Sequence, residues 1–227
     1  MPAFDSLFTW QPRPLPSSQI HQGRYVTLVP LNTEEHTTEF WRAVEGHDDV
    51  WAYLADGPYP GEADLMRAIQ EKETNTAAVF LAIVPIVSGR VEGYASYMRM
   101  DPLNGVIEVG NILMTPSLQR TTAATEAMYL MARHVFEDLG YRRYEWKCNA
   151  ENAPSRLAAL RYGFTFEGIF RQHMIVKGRN RDTAWFSMLD TEWPARKAAF
   201  ELWLDPVNFD DDGRQRKSLG QLRGCAS

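Results

Sequence analysis

A chain of 227 residues with 44% hydrophobic side chains can fill one sizeable core, which excludes disorder throughout. Its 24 basic and 29 acidic residues give a formal net charge of -5, so nothing in the bulk electrostatics calls for DNA or RNA as a partner. The two cysteines, Cys148 and Cys225, are far apart and lack ligand-spaced partners, which excludes a disulfide framework and a thiolate metal site; no metal is expected.

Residues 1–22, with Pro12, Pro14 and Pro16, read as an extended N-terminal arm, because repeated proline removes donors and fixes the backbone. A folded domain is expected over 23–205. Its first strand is the alternating R-Y-V-T-L-V-P at 24–30. Thr33 is placed to cap a helix running to Gly46, with Phe40, Trp41 and Val44 on its apolar stripe. A second helix over 64–74 follows the turn region of Pro58 and Pro60. Strands are predicted at 77–84, 91–100 and 106–114, and the turn signals between them make an antiparallel meander. Apolar residues then recur at helical spacing from Thr122 to Leu139, and Gly140 closes that helix. A strand at 144–148, a short helix at 152–160 and a strand pair at 165–176 and 183–189 complete a crossover unit on an otherwise antiparallel sheet. The last helix is predicted at 193–204, and 206–227, with its acidic run 210–212, reads as a flexible tail. The longest apolar run, near 77–86, is too short to span a membrane, and no basic segment leads into a long hydrophobic one. A soluble, cytoplasmic protein without a membrane partner is therefore expected.

Two segments carry chemistry. P-S-L-Q-R-T-T-A-A-T-E-A, residues 116–127, feeds a strand end into the open N-terminus of a long helix, where free N–H groups and the helix dipole suit an anion such as a pyrophosphate. It has no glycine, so it is neither a dinucleotide fingerprint nor a phosphate loop; a capped surface helix is the plainer alternative. In N-A-E-N-A-P-S-R-L, residues 149–157, Asn149 ends a strand, Asn152 can cap the next helix and Ser155 faces the cleft between them.

With both segments in view, the chain resembles the GCN5-related N-acetyltransferases (GNAT), in their RimJ/RimL-like branch. The likeness rests on P-x-L-Q-R-T-T-A-A-T-E-A, then E-W-K-C-N-A-E-N-A-P-S-R-L-A-A-L-R-Y-G-F-T-F-E-G-I-F-R, then K-G-R-N-R-D-T-A-W-F-S, and covers residues 24–194. It implies an α/β (α+β) GNAT fold: a mixed, mostly antiparallel central sheet flanked by helices, with a splayed parallel strand pair. It also implies transfer of the acetyl group of acetyl-coenzyme A to a primary amine, by direct attack in a ternary complex. The acceptor would be a protein or peptide N-terminus or a small amine, and the protein a monomer or homodimer.

The family pattern Q/R-x-x-G-x-G/A falls on Gln119, Arg120, Thr121, Thr122, Ala123 and Ala124. Thr122 stands where glycine is customary, so a helix-compatible backbone rather than a positive φ is expected there. The resemblance adds Met114, Asn149 and Asn152 to the cofactor-binding set, and places Ser155 near the coenzyme A sulfur as proton donor to the departing thiolate. Glu108 is the first choice of base and His173, whose imidazole suits proton acceptance near neutral pH, the alternative; either is also explained by strand packing. Cys148 alternates with Tyr144 and Trp146 as a core thiol. Glu167 with Arg171, and Arg181 with Asp182, read as structural charge pairs. Trp51, Tyr53, Pro58, Tyr59 and Pro60 fall where this fold builds an acceptor-side flap. Two competing readings are a non-catalytic acyl-coenzyme A-binding module and an acyltransferase that uses a longer acyl donor.

Overall fold

The alternating segment after Arg24 becomes the second of eight strands in the computed structural model, which describes residue 7 and residues 9–225. The arm and tail expectations at 1–6, 8, 226 and 227 lie outside those described residues. The strands are β1 (His21–Gln22), β2 (Val26–Pro30), β3 (Ala78–Pro85), β4 (Gly93–Asp101), β5 (Val106–Met114), β6 (Arg143–Asn149), β7 (Thr165–Val176) and β8 (Arg179–Leu189). They form one sheet in the order β1-β2-β3-β4-β5-β6-β8-β7, antiparallel except for the parallel β5–β6 pair. Short connections join the antiparallel pairs β1–β2, β3–β4, β4–β5 and β7–β8, α1 (Thr33–Val44) and α2 (Glu62–Glu73) lie between β2 and β3, and a helical crossover returns the chain to the parallel neighbour.

That crossover is α3 (Thr122–Arg133), and every residue from Ala123 to Ala132 is buried. A helix covered all round must satisfy whatever polar groups it carries. Glu126 does so by accepting three backbone N–H bonds, from Arg24 at 2.9 Å, Tyr25 at 2.6 Å and Val26 at 3.0 Å, which tie the β1–β2 turn to the helix. Gly23 makes the close approach possible, since a Cβ there would lie 2.4 Å from the carboxylate. On the same side of the sheet lie α4 (Ala153–Tyr162) and α5 (Trp193–Leu204), closing a core that includes Val26, Leu28, Tyr97, Val109, Trp146 and Phe186. On the opposite side, α1 (Thr33–Val44) and α2 (Glu62–Glu73) enclose a second cluster with Phe40, Trp51, Leu65, Ile69 and Tyr94. Each large aliphatic side chain so buried contributes about 1.5–3 kcal/mol.

Several boundaries differ from expectation for local reasons. Asn32, not Thr33, caps α1: its Oδ1 accepts from Glu35 N at 2.9 Å, while Thr33 turns its N–H and hydroxyl to Glu73. The long helix predicted over 122–139 is α-helical only to Arg133 and continues as a π turn, His134–Asp138, where His134 Nδ1 meets Asp138 Oδ2 at 2.8 Å. β8 begins at Arg179, because Lys177 (φ 49) and Gly178 (φ 72) make a two-residue turn with both φ positive, which lets pairing start at once. The segment from Pro206, expected as a flexible tail, is packed as far as it is described. Asn208 is buried, with its Nδ2 donating to Trp203 O and Lys217 O, and α6 (Leu219–Cys225) buries Leu219 and Leu222. Its apolar anchors were masked in the sequence by charged and small neighbours. In the arm, Trp10 Nε1 donates to Leu103 O at 2.7 Å and Arg13 N to Pro102 O at 3.0 Å, strapping the segment to the β4–β5 turn.

Candidate active site

The parallel strands part company halfway along. β5 and β6 are paired from Val106↔Arg143 to Val109↔Trp146 and no further, although both strands continue. Beyond Val109 the backbone of β5 is turned by a bulge: Tyr94 opposes Leu113 and Ser96 opposes Gly110, so Asn111 and Ile112 face the single residue Ala95. Asn111 takes φ 48, a conformation asparagine tolerates better than most residues. An extra residue in one strand leaves its backbone outside the ladder and bends the strand. The result is an opening between β5 and β6 whose rims are main chain.

At one rim stands the N-terminus of α3. Thr121 caps it, its Oγ1 accepting from Ala124 N at 3.1 Å, and Thr122 and Ala123 occupy the first helical positions, where N–H groups have no intrahelical acceptor. The positive φ of the loop falls on Arg120 (φ 64), two residues before the position of the customary glycine. Thr122 is thus helical, as its side chain requires. Gln119 donates through Nε2 to Met114 O at 2.9 Å, fixing the loop to the end of β5. These free amides, the helix dipole and the exposed Arg120 fit the diphosphate of a coenzyme.

At the other rim, Asn152 caps α4 by accepting from Ser155 N at 3.0 Å, and Asn149 Oδ1 accepts from Glu151 N at 3.0 Å. Both side-chain carbonyls are spent on the loop, which leaves the amide NH2 groups for a ligand. Ser155 Oγ accepts from Trp146 Nε1 at 3.0 Å. Its own O–H is therefore a donor held in place by the indole. Cys148 is buried beside it, and burial pushes its thiol pKa up, opposed by the Ser155 hydrogen bond, so it stays a packed thiol.

The sheet face away from α3 carries a row of charges. Glu108 is 2% exposed, and its Oε1 accepts from Arg99 Nη1 at 2.7 Å. Its Oε2 lies 2.8 Å from Lys147 Nζ but off hydrogen-bond alignment, a contact of charge alone. Lys147 Nζ also meets Glu145 Oε2 at 2.7 Å and sits 3.8 Å from the centre of the Trp185 ring. Arg143 continues the row, joining Glu145 at 2.6 Å and Glu167 at 2.5 Å. The pairing predicted for Glu167 and Arg171 is thus corrected: Glu167 takes Arg143, which lowers its carboxyl pKa through their hydrogen bonds, and Ser187. Arg181 and Asp182 do not pair either, because adjacent strand residues point to opposite faces. Asp182 accepts from Gln172 N and Asn180 Nδ2, while Arg181 Nε reaches Thr183 Oγ1. His173 is exposed on β7, with Nδ1 3.0 Å from Thr183 Oγ1 and its ring against Phe170 and Trp185.

The flap residues roof this face. Trp51 and Tyr59 pack edge to face at 5.1 Å within the second core, so they hold the flap rather than line a groove. Its hold on the walls is Lys177 Nζ to Trp51 O at 2.9 Å and Tyr53 OH to Glu151 O at 3.3 Å.

This arrangement has known counterparts. Residues 26–165 match the family model described as an acetyltransferase (GNAT) domain. The chain belongs to the GCN5-related N-acetyltransferase family. A crystal structure of a GCN5-related N-acetyltransferase from Brucella melitensis is 50% identical, with a TM-score of 0.93 over 95% of this chain and 99% of that one. A probable GNAT-family acetyltransferase from Chromobacterium violaceum is 36% identical, with a TM-score of 0.80 over 86% and 98%. A ribosomal-protein-serine acetyltransferase of Escherichia coli is 34% identical over 80 residues, 35% of this chain and 44% of that protein, a likeness to the RimJ/RimL-like branch. The chain is thus an acyl-coenzyme A-dependent N-acetyltransferase by family.

Within the GNAT domain, Met114 and Asn149 end the two strands that part, the 119–124 loop leads into α3, and Asn152 and Ser155 open α4, while Glu108 lies in the charge row on the face away from α3 and His173 on β7 against Thr183. Sequence reasoning passed over the bulge at Asn111, which the Gly110-Asn111 pair could have signalled, and the buried ion pairs of Lys147, and it read Arg181 only as a structural partner of Asp182.

Proposed function

We propose that the chain transfers the acetyl group of acetyl-coenzyme A to a primary amine by direct attack, with donor and acceptor bound together on opposite faces of the β5–β6 opening. The observation that carries this reading is the opening itself, which joins a capped but anion-ready helix end on one face to a polar, charge-lined floor on the other. When bound, the coenzyme supplies an activated thioester. Ser155, oriented by Trp146, donates its proton to the leaving thiolate as the new C–N bond replaces the C–S bond. Of the two base candidates the geometry favours His173, whose Nε2 has no partner among the described residues, over Glu108, whose charge is already faced by Arg99 and Lys147. The relative named for ribosomal-protein serine acetylation supports a protein or peptide N-terminus as acceptor, although the match spans less than half of that relative.

The test is incubation of the purified full chain with acetyl-coenzyme A and a panel of N-terminal peptides, amino acids and small amines, read by mass spectrometry. A gain of one acetyl group, located on nitrogen, is expected. Acetyl-coenzyme A binding without product on any member would turn the reading toward a binding module or a longer acyl donor.

A further inference from the structure

We propose that Arg181 is an anion-recognition residue of the acceptor site, and that the preferred amine substrate carries a carboxylate. This rests on the N-acetyltransferase reading above and adds to it the chemical class of the acceptor.

The placement comes from strand register. Arg181 lies on β8 opposite Met174 of β7, two residues before Thr183, which pairs with Asn149 at the end of β6. That is where β5 has already departed. Alternation puts Arg181 on the same face as Thr183 and Trp185, and Trp185 lies under Lys147 in the charge row. The electrostatic neighbours of Arg181 include Cys148, Arg99 and Glu108, residues of the opening itself.

The second observation is a missing partner. Each other cation of the row meets a carboxylate: Arg99 takes Glu108, Lys147 takes Glu108 and Glu145, and Arg143 takes Glu145 and Glu167. Arg181 pairs with no carboxylate among the described residues. Its one hydrogen bond is a 3.3 Å contact from Nε to Thr183 Oγ1, and the neighbouring Asp182 is spent on Gln172 and Asn180. Partial burial disfavours its charged form and Arg99 nearby adds to this, opposed by Cys148 and by Glu108, whose carboxylate is already engaged by Arg99 and Lys147, and the net effect lowers its pKa. A half-buried guanidinium with no carboxylate in direct contact is costly, and its terminal NH2 fork matches a carboxylate in shape. The anchor is rigid: Thr183 is 1% exposed and its Oγ1 is shared between Arg181 and His173 Nδ1. A carboxylate on Arg181 would therefore sit one hydroxyl away from the favoured base.

The carboxylate can be the side chain of an acidic residue near a peptide N-terminus or the α-carboxylate of a free amino acid, and the experiment separates these. With acetyl-coenzyme A and the full chain, kcat/KM is measured for acceptor pairs that differ only in acid against amide: peptides with Glu or Gln at the second position, and amino acids or their carboxamides. In at least one arm the acid is expected to win by about 10-fold or more. Arg181→Gln brings that ratio close to unity, mainly through KM, and Arg181→Lys restores part of it. Equal rates for acid and amide in both arms, a preference that survives Arg181→Gln, or a rise confined to the KM for acetyl-coenzyme A would each overturn the proposal. If no acceptor is turned over, it is the transfer reading that fails. Thermal shifts with the same pairs then decide the matter of Arg181: greater stabilisation by the acid in wild type than in Arg181→Gln supports it, and equal shifts overturn it.

Discussion

Lys147 shows what one buried charge costs and what it secures. Its ammonium, 5% exposed, separates two carboxylates that parallel register sets side by side, Glu108 and Glu145. Truncation to Met leaves both buried and facing each other, so Lys147→Met is expected to destabilise the fold by about 3–5 kcal/mol, measured by urea unfolding. Adding Glu108→Gln to that variant should recover part of the loss; no recovery would mean the ammonium matters for packing on Trp185 instead. Ser155 is a second residue whose meaning depends on its neighbour. Since Trp146 donates to Ser155 Oγ, Ser155→Ala removes the proposed proton donor while leaving the helix cap through its backbone N–H intact. The expected outcome is a fall in kcat on the order of 10²-fold with the KM for acetyl-coenzyme A little changed. Unaltered kcat at saturation would remove Ser155 from the chemistry.

At the scale of elements, the clasp between α3 and the β1–β2 turn gives a sharp prediction. Glu126→Ala removes the acceptor of three backbone N–H groups, of which the buried one of Val26 costs about 1–3 kcal/mol and the part-buried ones of Arg24 and Tyr25 less, and Gly23→Ala drives a Cβ into the carboxylate. Both variants should lower the melting temperature, and a Gly23→Ala variant as stable as wild type would show that the turn can give way. This clasp also marks what the sequence could reveal. Strands, helices and their order were legible because alternation, 3.6-residue periodicity and turn residues act locally, and the cap at Asn152 followed from the same short-range rules. The partners of Glu167 and Arg181 were not legible. Which charges meet across a sheet is set by register between strands distant in sequence, and neighbours along a strand face opposite sides. The helix break at His134 was hidden for the same reason, since the rings it packs on belong to residues 21 and 97.

Those rings matter to the molecule as a whole. His21 is buried 4.6 Å from the His134 ring, and desolvation, aided by His134, pulls its pKa from 6.5 down to about 4. Between those two values the unfolded chain holds a proton that the folded chain refuses, so stability falls as pH drops through the window and is unaffected by this group above 6.5. Melting temperatures across that range should decline for wild type and decline less steeply for His21→Gln; parallel slopes would rule out His21 as the source. The packed C-terminus makes a separate claim. Ending the chain after Ser218 deletes the buried Leu219 and Leu222, worth about 1.5–3 kcal/mol apiece, together with Arg223, whose Nη1 contacts the carbonyls of Leu160 and Arg161 at the end of α4. A clear drop in melting temperature is expected, whereas a loose tail could be removed without effect. The gap between β5 and β6 has a consequence for how such a protein can diversify. It is made by two backbones separating after Val109 and Trp146, not by the shape of any side chain. Substitutions along its margins therefore leave it open, and the main-chain part of the proposed donor half is insulated from change. On the proposed function, preference for one acceptor over another can drift with a handful of side chains on the far face while the opening that joins the two faces is inherited intact.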